Sequence, residues 1–179
     1  MTQLVTDRLL LRRWREADRE IFARINADPR VMEFYPAPLT REESDAMIDR
    51  YDGHFAQYGF GPWAGELRAT NRLVGYIGVK YVRFEAAFTP AVEIGWRLAP
   101  EHWGSGLATE GAAAALQDGF GTVGLHEIVA FTTLANLRSQ RVMDKLGMTH
   151  DPCDDFDHPQ LPQGHPLLRH VLYRLRRPA

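Results

Sequence analysis

Cysteine is nearly missing from this chain: Cys153 stands alone among 179 residues, so no internal disulfide can form. Long apolar runs are missing too, since none approaches the roughly 20 residues needed to cross a bilayer. The opening Met1-Thr2-Gln3-Leu4 lacks the charged-then-apolar order of a secretion signal, so the expectation is a cytoplasmic protein with no membrane partner. Charge of one sign is scarce as well. The 21 Lys and Arg and 23 Asp and Glu are spread along the chain, leaving a formal net charge of -2 and no basic face of the kind nucleic acid requires. Seven histidines show no paired ligand spacing, so no metal site is expected. What is present, a chain 45% hydrophobic and 25% charged, suits one globular domain over residues 1–179.

Residues 8–14, apolar and basic, read as a first strand. Over 16–27 the apolar Ile21, Phe22 and Ile25 recur at helical spacing, and Pro29 follows where a helix would stop. Thr40 and Glu43 form a capping box, after which Met47, Ile48, Tyr51 and Phe55 line one helix face as far as Tyr58-Gly59. Between these helices, Glu33-Phe34-Tyr35-Pro36-Ala37-Pro38 excludes helix and carries aromatics that are costly to expose; such segments often line a cleft. Three strand-like runs follow at 61–67, 73–82 and 91–98, with short turns that imply antiparallel pairing. After Pro100 come a glycine-containing turn, an alanine-rich helix over 107–120, a strand over 128–133 and a helix over 136–146 ended by Gly147. A polar, proline-rich loop over 151–166 precedes a last strand over 168–175.

The order strand, Gly-x-Gly turn, helix places backbone N–H groups at a helix N-terminus, which is an anion site, and glycines at 104 and 106 keep side chains out of a phosphate's way. A plain strand-to-helix turn has the same look, so the neighbouring residues must decide. A Walker loop needs Gly-Lys-Ser or Gly-Lys-Thr, and neither occurs. A dinucleotide fingerprint needs Gly or Ala at Thr109 and an acidic end to the next strand, where this chain has Phe131-Thr132-Thr133.

Five blocks, however, resemble the GNAT superfamily of acyl-CoA transferases, in particular its ribosomal-protein N-terminal acetyltransferase branch. They are Thr6-Asp7-Arg8-Leu9-Leu10-Leu11-Arg12, Leu73-Val74-Gly75-Tyr76-Ile77-Gly78, Glu93-Ile94-Gly95-Trp96, residues 103–110, and Asn136-Leu137-Arg138-Ser139 leading to Lys145-Leu146-Gly147-Met148. The resemblance implies a single-domain α/β fold with a mixed, mostly antiparallel sheet, helices flanking it, and a splay between the strands at 91–98 and 128–133. It implies acetyl-CoA as co-substrate, with its pyrophosphate on Trp103, Gly104, Ser105, Gly106, Leu107, Ala108 and Thr109, the thioester oxygen near backbone N–H groups around Leu98, and further contacts from Asn136 and Ser139. The family's loop often begins with Arg or Gln, where this chain has Trp103.

By the same resemblance Glu93 is the candidate base that takes a proton from a primary amine, the alternative being a carboxylate paired with Arg97. Ser139 is the candidate acid for the leaving thiolate, because Met143 occupies the position where many relatives carry a tyrosine. Asn136 also reads as a plain N-cap, and Ser139 as a surface serine. Arg138, Arg141 and Lys145 read as a solvated basic face, unassigned. Glu33 and Tyr35, with Asp157 and His158 from the acidic loop, are the candidate acceptor pocket, whose carboxylates would attract an amine. The acceptor is a small-molecule amine or a protein N-terminus, and family habit implies a homodimer. A non-catalytic acyl-CoA-binding module and a transferase for longer acyl chains stand as alternatives.

Overall fold

The computed structural model describes residues 3–177. The opening Met1-Thr2 and the last two residues of the expected 1–179 domain lie outside the described residues. The chain runs β1 (Gln3–Val5), β2 (Leu9–Arg12), α1 (Asp18–Ala27), α2 (Arg41–Tyr58), β3 (Pro62–Leu67), β4 (Arg72–Tyr81) and β5 (Val92–Leu98). It continues through α3 (Leu107–Gly121), β6 (Glu127–Thr133), α4 (Leu137–Lys145), β7 (Thr149–His150), β8 (Phe156–Asp157) and β9 (Arg169–Arg176). One sheet has the order β1-β2-β3-β4-β5-β6-β9-β7, with β8 on β9. All its pairings are antiparallel except β5 with β6, which are parallel and meet at a single register pair, Glu93 with Val129. Beyond that pair the two strands part, which is the expected splay.

Each face of the sheet buries its own core. On one side α3 covers β4 and β5 through Leu107, Ala112, Ala115 and Leu116, small enough at two positions for close approach. On the other side α1 and α2 cover β4 through Phe22, Ile25, Ile48 and Tyr51. The capping box forms as read: Glu43 N–H donates to Thr40 Oγ1 at 3.2 Å and Thr40 N–H to Glu43 Oε2 at 2.8 Å.

Two expectations need correction. The strand expected over 8–14 stops at Arg12, whose guanidinium turns inward to Asp18 and Glu66 at 2.6 and 2.7 Å. The short β1 precedes that strand. The loop expected over 151–166 contains β8, which with β7 covers the outer edge of β9; strands of two residues are too short to show a period of two.

Candidate active site

Among the described residues the α-helix starts are of two kinds, and those of α1 and α3 have no side-chain cap. Those of α2 and α4 are capped by side chains, from Thr40 and from Asn136, whose Oδ1 accepts the N–H of Ser139 at 3.2 Å. No side chain caps α3: its N-cap is Gly106, and helix geometry leaves the N–H groups of Leu107, Ala108 and Thr109 without helical partners. Gly104 and Gly106 both lie in the left-handed region, at φ 71° and 84°, and a Cβ on Gly104 would meet nothing within 4 Å. The turn is held from outside. Arg8 donates to Ser105 O at 2.8 Å and to Glu110 Oε2 at 2.6 Å, while Thr6 Oγ1 donates to Glu110 Oε1 at 2.6 Å. Trp103 Nε1 donates to Leu98 O at 2.8 Å, which fixes the turn to the end of β5. The indole is thereby committed to the protein, and the free donors of the turn are backbone groups.

A cleft of about 370 Å³ lies between this turn and α4. Arg30, Arg138, Arg141 and Lys145 border it with no carboxylate in its wall, so the basic face of α4 points at the cleft. Arg138 crosses the cleft, stacking on Trp103 at 4.4 Å and pairing with Glu33 at 2.5 Å. Uncapped N–H groups, left-handed glycines and a wall of Arg and Lys side chains without carboxylates suit a ligand with several phosphates. A second cavity of about 760 Å³ opens on the other side, and Trp96, Arg97, Asn136 and Ser139 line both. The two therefore meet where β5 and β6 part.

The family described as acetyltransferase (GNAT) domain matches residues 8–149. This chain belongs to the GNAT acetyltransferases. It is 31% identical to the N-acetyltransferase YnaD of Bacillus subtilis over 149 residues, 83% of each chain. A GNAT-family acetyltransferase from Bacillus anthracis superposes with TM-score 0.80 at 26% identity, covering 98% of this chain and 99% of that one. The spermidine N-acetyltransferase of Vibrio cholerae, solved with CoA and spermine, shares the fold at TM-score 0.73 and 18% identity over 96% and 97% of the two chains. The enzyme is thus an N-acetyltransferase with a GNAT-like α/β domain, and GNAT acetyltransferases use acetyl-CoA.

On the acceptor side the structure reverses the expected charge. Glu93 lines the second cavity, but its partner is Lys80, directly across from it on β4, and not Arg97. The geometry explains the exchange: four residues along a strand are about 13 Å apart, whereas cross-strand neighbours sit near 5 Å. Asp157 does not line the cavity, for its carboxylate is turned to Arg169 at 3.4 Å. Asp154 and Asp155 are likewise held by Arg174 and His150, at 2.7 Å each. Glu33 is held by Arg138 beside the first cleft. Tyr35 and His158 do line the second cavity.

Sequence reasoning gave no site role to Arg50, Arg83 or His170, which reach the cavity from three separate elements. Nothing in their spacing marks them. Burial lowers both His158 and His170, keeping the imidazoles neutral. His170 donates from Nδ1 to Leu168 O at 3.1 Å, so its Nε2 carries the lone pair.

Proposed function

We propose that the enzyme acetylates a primary amine, using the whole chain as one domain. Acetyl-CoA enters along the first cleft with its pyrophosphate on Trp103 to Thr109, and the amine enters through the second cavity. What supports this most directly is the meeting of the two cavities at Trp96, Arg97, Asn136 and Ser139, where β5 and β6 share a single register pair and then part. The loop is of the ribosomal-protein type, with Trp103 in its first position. Acetyl-CoA supplies an activated acyl group and a good leaving thiolate. The amine nitrogen bonds to the thioester carbon, the carbon–sulfur bond breaks, the nitrogen gives up a proton, and the thiolate takes one.

Backbone N–H groups near Leu98 face the thioester oxygen and stabilise its developing negative charge. Glu93 receives the amine proton, with Lys80 holding the carboxylate in place across the strand pair. Ser139, between the cavities, donates to the sulfur, and Asn136 fixes that turn through Ser139 N–H and through its own amide bond to Thr132 Oγ1 at 2.9 Å. A second reading of the base rests on one observation: the lone pair of neutral His170 is in the same cavity.

The test is thiol release from acetyl-CoA against amine, with mass detection of the amide. One thiol per amide is expected, and thiol release without amide would overturn the reading. Glu93→Gln should lower kcat/KM on the order of 100-fold and flatten its rise with pH. A retained rise in Glu93→Gln that is lost in His170→Gln would transfer the role to His170.

A further inference from the structure

The second cavity contains a buried cation with no carboxylate partner among the described residues. Arg97 is 6% exposed and makes no salt bridge among the described residues. Its Nη1 donates to the amide oxygen of Asn26 at 2.7 Å, and its guanidinium lies against the Tyr35 ring at 4.2 Å. Its buried Nε has no hydrogen-bond partner. The nearby phenols of Tyr51 and Tyr76 are raised by burial; that of Tyr35, which burial would raise, is instead lowered by the Arg97 charge beside it, so a neutral phenol is the nearest thing to a partner that the guanidinium has. A buried charge left unpaired is costly, and such a group is kept where something else completes it.

The surroundings repeat the sign. Arg50 and Arg83, both exposed and without ion-pair partners among the described residues, line this cavity and not the first one. Lys80 and Arg97 complete four basic side chains against the single carboxylate of Glu93, which Lys80 already holds. The cofactor cleft has other cations in Arg30, Arg138, Arg141 and Lys145; Arg50, Lys80 and Arg83 line the second cavity alone, and Arg97 stands where the two meet. Much of the remaining wall is apolar, with aromatic Trp96, Phe84 and Phe131 beside aliphatic Met47, Leu161 and Leu167.

We propose, resting on the acetyl-transfer reading above, that the acceptor is a small amine that itself carries an acid group, a carboxylate or phosphonate, with an apolar or aromatic body. The acid is bound by Arg97, and Arg50 and Arg83 draw it in from the mouth. A guanidinium gives planar, paired donors to an oxyanion of either kind. The same field repels polyamines and aminoglycosides, whose extra ammonium groups would face Arg50, Arg83 and Arg97.

The experiment compares matched amines by amide formation: phenylalanine with phenylalaninamide, 2-aminoethylphosphonate with ethanolamine, and spermidine and a tripeptide amide as further arms. The free acid should exceed its neutral partner in kcat/KM by about tenfold or more in at least one pair. Arg97→Gln, assayed at saturating acetyl-CoA, should bring that ratio toward one. Since a buried arginine variant can misfold, Arg50→Gln and Arg83→Gln on the surface are measured too, and each should raise KM for the acid and weaken its salt dependence. Carboxylate and phosphonate preference separate by which pair shows the ratio. A preference for spermidine, for the tripeptide amide or for the neutral partners, or a ratio untouched by all three variants, overturns the proposal.

Binding of N-acetylphenylalanine and its amide in the presence of CoA, followed by calorimetry, reads the same preference without turnover. Selective binding of the acid with no turnover of any amine would fail the transfer reading and leave the anion site standing. Turnover without acid preference would do the reverse. Neither turnover nor selective binding would overturn both.

Discussion

At the scale of single residues, the cofactor turn offers a clean charge test. Asn and Asp have the same size and both tolerate the left-handed conformation that Gly104 adopts, so Gly104→Asn and Gly104→Asp differ by one negative charge beside the proposed pyrophosphate. CoA should bind Gly104→Asp about tenfold or more weakly than Gly104→Asn in a fluorescence or calorimetric titration; equal affinities would remove the pyrophosphate from this turn. The same turn shows what was legible in the sequence. Gly104 and Gly106 announce a tight turn because few other residues adopt their backbone angles. The use of Thr6 and Arg8 was not legible, since they reach Glu110 from about a hundred residues away and only the folded sheet brings them there. Arg97 stayed hidden for a similar reason. Its sequence neighbours suggest a partner for Glu93, and only the pairing of β4 with β5 gives that carboxylate to Lys80 and leaves the guanidinium unmatched.

Between elements, the strongest polar joint is the Arg12 cluster. Arg12 leaves β2 to bond Asp18 at the start of α1 and Glu66 on β3, all three side chains nearly inaccessible to water. Arg12→Met would leave the buried Asp18 without an ion partner and Glu66 with only Arg15 at 3.2 Å, and denaturant unfolding should show a loss of about 3 kcal/mol or more. A loss under 1 kcal/mol would mean that water reaches the cluster. Helices α2, α3 and α4 and the long strands were readable because periodicity and caps act over a few residues. β1, β7 and β8 were not, because so short a strand is stabilised by the neighbour it pairs with rather than by its own composition.

For the molecule as a whole, three histidines set the acid limit. Burial lowers His54, His158 and His170, so the folded state resists their protonation while the unfolded chain takes up protons below about pH 6.5. His54 shows the cost in detail: its Nδ1–H donates to Phe60 O and its Nε2 accepts the N–H of Tyr81, and a second proton would leave that amide facing another donor. Their contribution to stability is thus complete above about pH 6.5 and is lost as pH falls through the lowered folded values. Tm should fall between about pH 6.5 and pH 5, and less steeply in His170→Asn; a Tm level across that range would show that the imidazoles protonate within the fold.

The open start of α3 reaches further than binding. On the proposed reading that helix is finished by a metabolite, so cofactor supply and folding equilibrium become one variable. A hundredfold excess of CoA over its Kd would add about 2.7 kcal/mol to the free energy of unfolding. Starvation for acyl-CoA would then thin out the enzyme itself, through whatever degrades unfolded chains, in addition to slowing its reaction.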